Sequence, residues 1–171
     1  MLFVEKKLGH DCTWIDLDVD KIKNMEDLSD IYGLDKETIE YALDRNERAH
    51  MDYNRETGTV TFIYNVLDLE KDKEYYEAIP MTFIVEKKRL ITISNHKNTY
   101  VIKRMATYLE SHEIISIYKF LFASLEIISN AYYPVIEEMD KVRMKSVHFF
   151  VKKQLKKIFL PSLTWKLVWF T

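Results

Sequence analysis

The sequence predicts an α/β protein that ends in a long helix. Three observations carry this reading. β-rich runs share the first hundred residues with short helical patterns. Only three glycines and three prolines occur in 171 residues, which favours long regular elements over special turns. From Ile114 onward, Ile114, Tyr118, Leu121, Leu125, Ile128, Tyr132, Val135, Met139 and Val142 follow steps of four and three without a slip. That is the seam of a supercoiling helix, suited to a stalk or an oligomer strut.

Taken in order, Leu2 to Lys7 reads as a strand, closed by a turn at Gly9-His10-Asp11, and Thr13 to Leu17 reads as a second. Asp20 or Asn24 is placed to cap a short helix through Ile31, with Gly33 ending it. Asp35 is an N-cap for a helix over Lys36 to Leu43, whose early acids Glu37 and Glu40 suit the helix dipole. Ala49 to Tyr53 and Thr59 to Leu69 form a hairpin about Asn54 to Gly58. Val60, Phe62, Tyr64 and Val66 make one side of the second strand apolar, while Ile63 and Leu67 make the other partly so. The sheet is therefore expected to be covered on both faces. Lys71 to Lys73 is a polar loop, and Ile79 to Val85 pairs with Leu90 to Ser94 around a basic turn. Val101, Met105, Tyr108 and Leu109 mark an amphipathic helix before the long one. The long helix is apolar over a wide arc at first and narrows to the seam near Pro134, a proline expected to kink it.

Composition narrows the function. A net charge of −2 with mixed signs predicts no nucleic-acid footprint. The single cysteine, Cys12, excludes an internal disulfide framework and fits a reducing compartment. No basic segment precedes an apolar run at the N-terminus, and no stretch reaches the ~18 apolar residues of a membrane span, so the chain is expected to be soluble. His10, His50, His96, His112 and His148 lack zinc-ligand spacing. No phosphate-binding glycine loop or nucleophile elbow is present, so no enzyme is expected.

The order of several pieces points to a family. Trp14-Ile15-Asp16-Leu17 precedes Leu28, Tyr32-Gly33-Leu34, Ile39 and Ala42-Leu43-Asp44. Glu47-Arg48-Ala49, Asp52-Tyr53, Phe62-Ile63-Tyr64-Asn65-Val66, Thr82-Phe83-Ile84-Val85 and Leu90-Ile91-Thr92-Ile93 follow. Over roughly residues 1 to 143 the chain resembles the cytoplasmic N-terminal domain of CorA-type magnesium and divalent-cation transporters. The Gly-Met-Asn pore motif and both transmembrane helices of that family are absent from the sequence. The resemblance implies an α/β/α layered domain with a mixed sheet over 1–112, the start of a stalk helix over 113–143, and a homopentamer. It also implies a cytoplasmic cation sensor whose full-length relative sits in the cell membrane, tied to it only through the missing helices. A truncated chain of this kind does not itself transport. Other readings are a zinc, cobalt or nickel transporter homologue and a soluble oligomerisation or interaction module. An acid/base enzyme using the acidic loop would need a deep pocket at Glu70.

Magnesium, as a weak regulatory ion, takes carboxylate and water oxygens. Asp68, Glu70, Asp72, Glu74 and Glu77 surround one loop, which is also what a plain solvated loop looks like. By its place in the loop Glu70 corresponds to the family's sensing acid, with Asp68 or Asp72 as substitutes. Glu137, Glu138 and Asp140 of a neighbouring stalk would supply the other half of the site.

Residues 144–171 depart from the stalk pattern, mixing Phe149, Phe150, Trp165 and Trp169 with Lys152, Lys153, Lys156 and Lys157. Three readings compete: a basic amphipathic membrane-surface segment, a partner-binding end, and out-of-frame translation. The last is preferred. Codons can be chosen for Trp165 to Thr171 that, shifted by one frame, read Leu-Glu-Thr-Gly-Leu-Val-Tyr, a stalk-like helix.

Overall fold

The computed structural model describes residues 3–9, 11–22, 26–70, 75–114 and 116–168. Six strands form one mixed sheet: β1 (Phe3–Leu8), β2 (Cys12–Asp18), β3 (His50–Asn54), β4 (Thr59–Leu67), β5 (Ala78–Val85) and β6 (Arg89–Ser94). Their order across the sheet is β1-β2-β6-β5-β4-β3. Among the described strands only β2 and β6 pair in parallel. The helices are α1 (Glu26–Tyr32), α2 (Lys36–Leu43), α3 (Thr99–Ser111) and α4 (Ile117–Val168).

Alternation along the central strands assigns the two faces. Ile15 and Leu17 of β2, Ile84 of β5, and Ile91 and Ile93 of β6 join Leu28, Tyr32, Leu34 and Ile39 in one core beneath α1 and α2. Trp14, one residue out of phase, faces the other way and meets the edge of Phe120 on α4, ring centroids 5.2 Å apart. Both side chains are fully buried. Helices thus cover both faces of the sheet, as expected.

Local chemistry explains the ends of the elements. Asp35 caps α2, its carboxylate accepting from the Thr38 N–H at 2.7 Å. Gly33 ends α1 at φ +70°, a conformation costly for any residue with a Cβ. Asn54 holds the β3–β4 hairpin by accepting from the N–H groups of Glu56 and Thr57. Asp20 does not cap α1. It lies in a 3₁₀ turn over Val19–Lys21, itself capped by Asp18, and its carboxylate is engaged by His96 instead. Asn24, the other cap candidate, lies outside the described residues.

The chain divides into two compact units at Asn130/Ala131, within α4. In the first unit α4 buries Ile117, Phe120, Ser124 and Ile128, whereas the seam residue Tyr118 is exposed. The buried stripe is therefore offset from the 3.5-residue seam at Tyr118 and joins it at Ile128, because a stripe of period 3.6 drifts across a seam of period 3.5 and the domain buries the wider arc. In the second unit the helix continues through Pro134 and past Arg143 without interruption to Val168. The change of composition at Met144 is not matched by a break in the backbone. Met139 and Val142 of the seam are exposed. No helix among the described residues is long and apolar enough to cross a membrane.

Candidate functional site

Strand directions gather polar loops at one end of the sheet. β2 and β6 are parallel, and β4 runs the same way because β5 is antiparallel to both β4 and β6. The segments after Asp18, Leu67 and Ser94 therefore emerge together, beside the start of β5. This is where open α/β sheets commonly place ligands. A cleft of about 700 Å³ opens here, lined among others by Asp20, Arg45, Glu77, Ile79, His96 and Lys97.

Lys97 organises the acidic loop. Its ammonium lies 2.7 Å from Asp68 Oδ2 and 3.9 Å from Glu77 Oε2. Asp68, 2% exposed, also accepts from the Glu70 N–H at 2.9 Å. Burial pushes the Asp68 carboxyl up, but the Lys97 ammonium and the Glu70 N–H outweigh it and hold the carboxyl below the usual carboxylate value. The same ion pair raises the Lys97 ammonium. Tyr100 steadies the strand end by donating to the Leu67 carbonyl at 2.9 Å.

Asp68 and Glu70 are thus neighbours with different surroundings: Asp68 is buried against a lysine, while Glu70 is exposed. Glu70 is not among the residues lining the cleft. Asp72 and Glu74 lie outside the described residues. Glu137 and Asp140 are exposed on α4 in the second unit, and Asp140 pairs with Arg143 at 3.1 Å. Among the described residues no group of three or more His, Cys, Asp or Glu side chains is arranged to hold a metal ion.

Two further carboxylates at this end escaped the sequence reading. Asp20 Oδ2 accepts from the His96 backbone N–H at 2.6 Å and lies 2.8 Å from its Nδ1. Burial opposes ionisation of Asp20, yet the His96 contacts prevail and lower its pKa. Asp16, on β2, is 4% exposed. It accepts from the Thr92 hydroxyl at 2.7 Å and from the Ser94 hydroxyl at 2.9 Å. Thr92 in turn accepts from the Trp14 indole N–H at 3.0 Å. Burial dominates and pushes the Asp16 carboxyl up to about 6; the two hydroxyls and Lys21 pull it down, and Asp18 pushes it up further. The signal for this network is the parallel register, which sets Asp16 beside Thr92 and Asp18 beside Ser94. Residues 76 positions apart in the chain show no such pattern in a linear reading.

The remaining histidines are accounted for by local contacts where they are described. His50 meets the edge of Tyr41, His112 stacks on Tyr108, and His148 is exposed.

The family model described as CorA-like Mg2+ transporter protein matches residues 9–145. The soluble domain of CorA from Methanocaldococcus jannaschii is similar in fold, with a TM-score of 0.62 at 18% identity, over 83% of this chain and 59% of that one. The complete CorA magnesium transporter from the same organism gives a TM-score of 0.62 at 16% identity, over 80% of this chain and 43% of that one. The ZntB cytoplasmic domain from Vibrio parahaemolyticus gives 0.59 at 12% identity, over 80% of this chain and 62% of that one. No curated protein matches the chain.

Proposed function

The chain belongs to the CorA-like Mg2+ transporter family, and from that premise we propose that it is a cytoplasmic cation-sensing portion of a divalent-cation transporter. The observation that carries this is the match across residues 9–145, which takes in the whole sheet from β2 onward and the first part of α4. The chain spans 59% and 43% of the lengths of the two M. jannaschii chains it resembles. Transport is accordingly a property proposed for a longer protein.

In this reading the ion is magnesium and the ligand offered by the domain is Glu70. Asp68 is less suited, because Lys97 already neutralises it and a cation there would have to displace an ammonium. Glu137 and Asp140 from a neighbouring copy would complete the site, within a homopentamer. Acidic faces of adjacent copies repel until a cation bridges them. Few protein ligands imply binding in about the millimolar range. Asp72 keeps its place as an alternative ligand.

A second reading, an oligomerisation module, is favoured by the exposure of Tyr118, Met139 and Val142 along the helical seam. The two separate by experiment. Mass measurement of the whole chain across millimolar magnesium should show assembly that rises with the ion and is reduced in Glu70→Gln. Assembly that ignores magnesium favours the seam alone, and a monomer at every magnesium concentration removes the sensor reading.

A further inference from the structure

The net charge of −2 conceals a segregation along the chain. Residues 141–171 hold eight of the 25 lysines and arginines and none of the 27 acids, so this segment carries +8 and residues 1–140 carry −10. Within the described part of this segment, α4 places Lys141, Lys145, His148 and Lys152 at steps of four, three and four, which is one stripe of a helix. Beside that stripe lie Met144, Val147, Phe150 and Val151, each about half exposed or more. Lys153 lies beyond the far side of this apolar arc, and Arg143 falls within it, where a long side chain can reach out to the headgroups. Phe149 points away from the arc.

We infer that residues 141–153 form a docking surface for an anionic lipid bilayer, with the arc Met144–Val147–Phe150–Val151 entering the interface and the lysines meeting the headgroups. Positive charge complementary to an anionic surface is joined here to an apolar face. An exposed apolar arc about 10 Å long, within a cation-flanked helical segment of about 20 Å, matches a helix lying in the plane of a bilayer. A polyanion such as RNA would engage the lysines but would leave Met144, Val147 and Val151 in water. The charge asymmetry also orients the chain, since an anionic surface attracts residues 141–171 and repels the acidic remainder. This inference is independent of cation sensing and needs no partner copy.

The test is sedimentation of the whole chain with vesicles of phosphatidylcholine containing about 30% phosphatidylserine, and with phosphatidylcholine alone, at about 0.1 M and 0.5 M salt. Binding is expected only to the anionic vesicles and is expected to fall at the higher salt. The triple variant Lys141→Gln, Lys145→Gln, Lys152→Gln should bind about 100-fold more weakly, at about fivefold per lysine. The pair Met144→Ser, Phe150→Ser should lose about tenfold or more with all its lysines intact, whereas Phe149→Ser should bind like the parent. All these positions are exposed, so circular dichroism should report unchanged folding. Failure to bind anionic vesicles at low salt overturns the inference, as does equal binding to neutral ones. Binding to heparin or RNA that is as strong as vesicle binding and insensitive to Met144→Ser, Phe150→Ser overturns it in favour of a polyanion site.

Discussion

Replacing Asp16 with asparagine should remove a pH dependence from the stability of the whole chain. Asp16 is 4% exposed, and its carboxyl is pushed from 3.8 up to about 6. At 1.36 kcal/mol per unit, that difference corresponds to about 3 kcal/mol. The sign follows from proton binding. Between about pH 4 and 6 the folded state holds the Asp16 proton while the unfolded state has lost it, so unfolding free energy falls as pH rises through this window and levels off above it. The substituted carboxamide has no proton to lose. Its oxygen can still accept from Thr92, and its NH₂ can donate to Ser94 after the hydroxyl turns. Urea unfolding followed by circular dichroism at pH 4 and pH 7.5 gives four free energies. The variant should gain on the parent by about 2 kcal/mol between the two pH values, less than the full difference because the unfolded carboxyl is still partly protonated at pH 4, whatever the absolute cost of the substitution. Groups that do not act on Asp16, including Asp20 and Asp68, cancel in this double difference, while Asp18 and Lys21 enter only through their influence on Asp16. Parallel stability profiles for the two proteins, within about 0.5 kcal/mol, would refute the assignment of the raised carboxyl to Asp16.

Other outcomes follow from the same geometry. Lys97→Met strips the buried Asp68 of its ammonium; the melting temperature should drop by about several degrees at pH 7, and by progressively less as pH falls through the lowered Asp68 pKa and the carboxylate that Lys97 pairs with is lost. The sign agrees with a depressed carboxyl, whose stabilisation is present above its unfolded pKa and is lost as pH falls through the folded one. Phe120→Ala removes a fully buried ring from the edge of Trp14 and should cost about 3–5 kcal/mol in chemical unfolding, with a change in Trp14 fluorescence.

Much of the fold was legible because its signals are local. The Asp35 cap and the helix over Lys36–Leu43 rest on neighbours within four residues, and the structure has both where the pattern put them. The β3–β4 hairpin follows from alternation closed by Asn54 and Gly58. Asp20 shows where locality fails. It has the chemistry of a cap but is claimed by His96, 76 residues away, because a tertiary partner offers two contacts that a helix end would have to match. The acidic loop shows a subtler limit. Asp68 and Glu70 look equivalent in the sequence and would share a face if the strand ran on, yet β4 ends at Leu67, and the chain beyond it places Asp68 on Lys97 and leaves Glu70 exposed.

By itself the sequence determined the element order, the covered sheet, the family resemblance over roughly residues 1 to 143 and the long helix, because hydrophobic period and capping chemistry act within a few residues. Tertiary structure alone decided which carboxylates stay exposed, as Glu70 does, and which are spent on Lys97, His96, Thr92 and Ser94. It also decided that α4 buries Ile117, Phe120, Ser124 and Ile128, with Phe120 against Trp14 of the sheet, and leaves seam residues such as Tyr118 exposed. These depend on strand register and on which helical face meets the sheet, and both are set by burying the greatest apolar area across residues far apart in the chain.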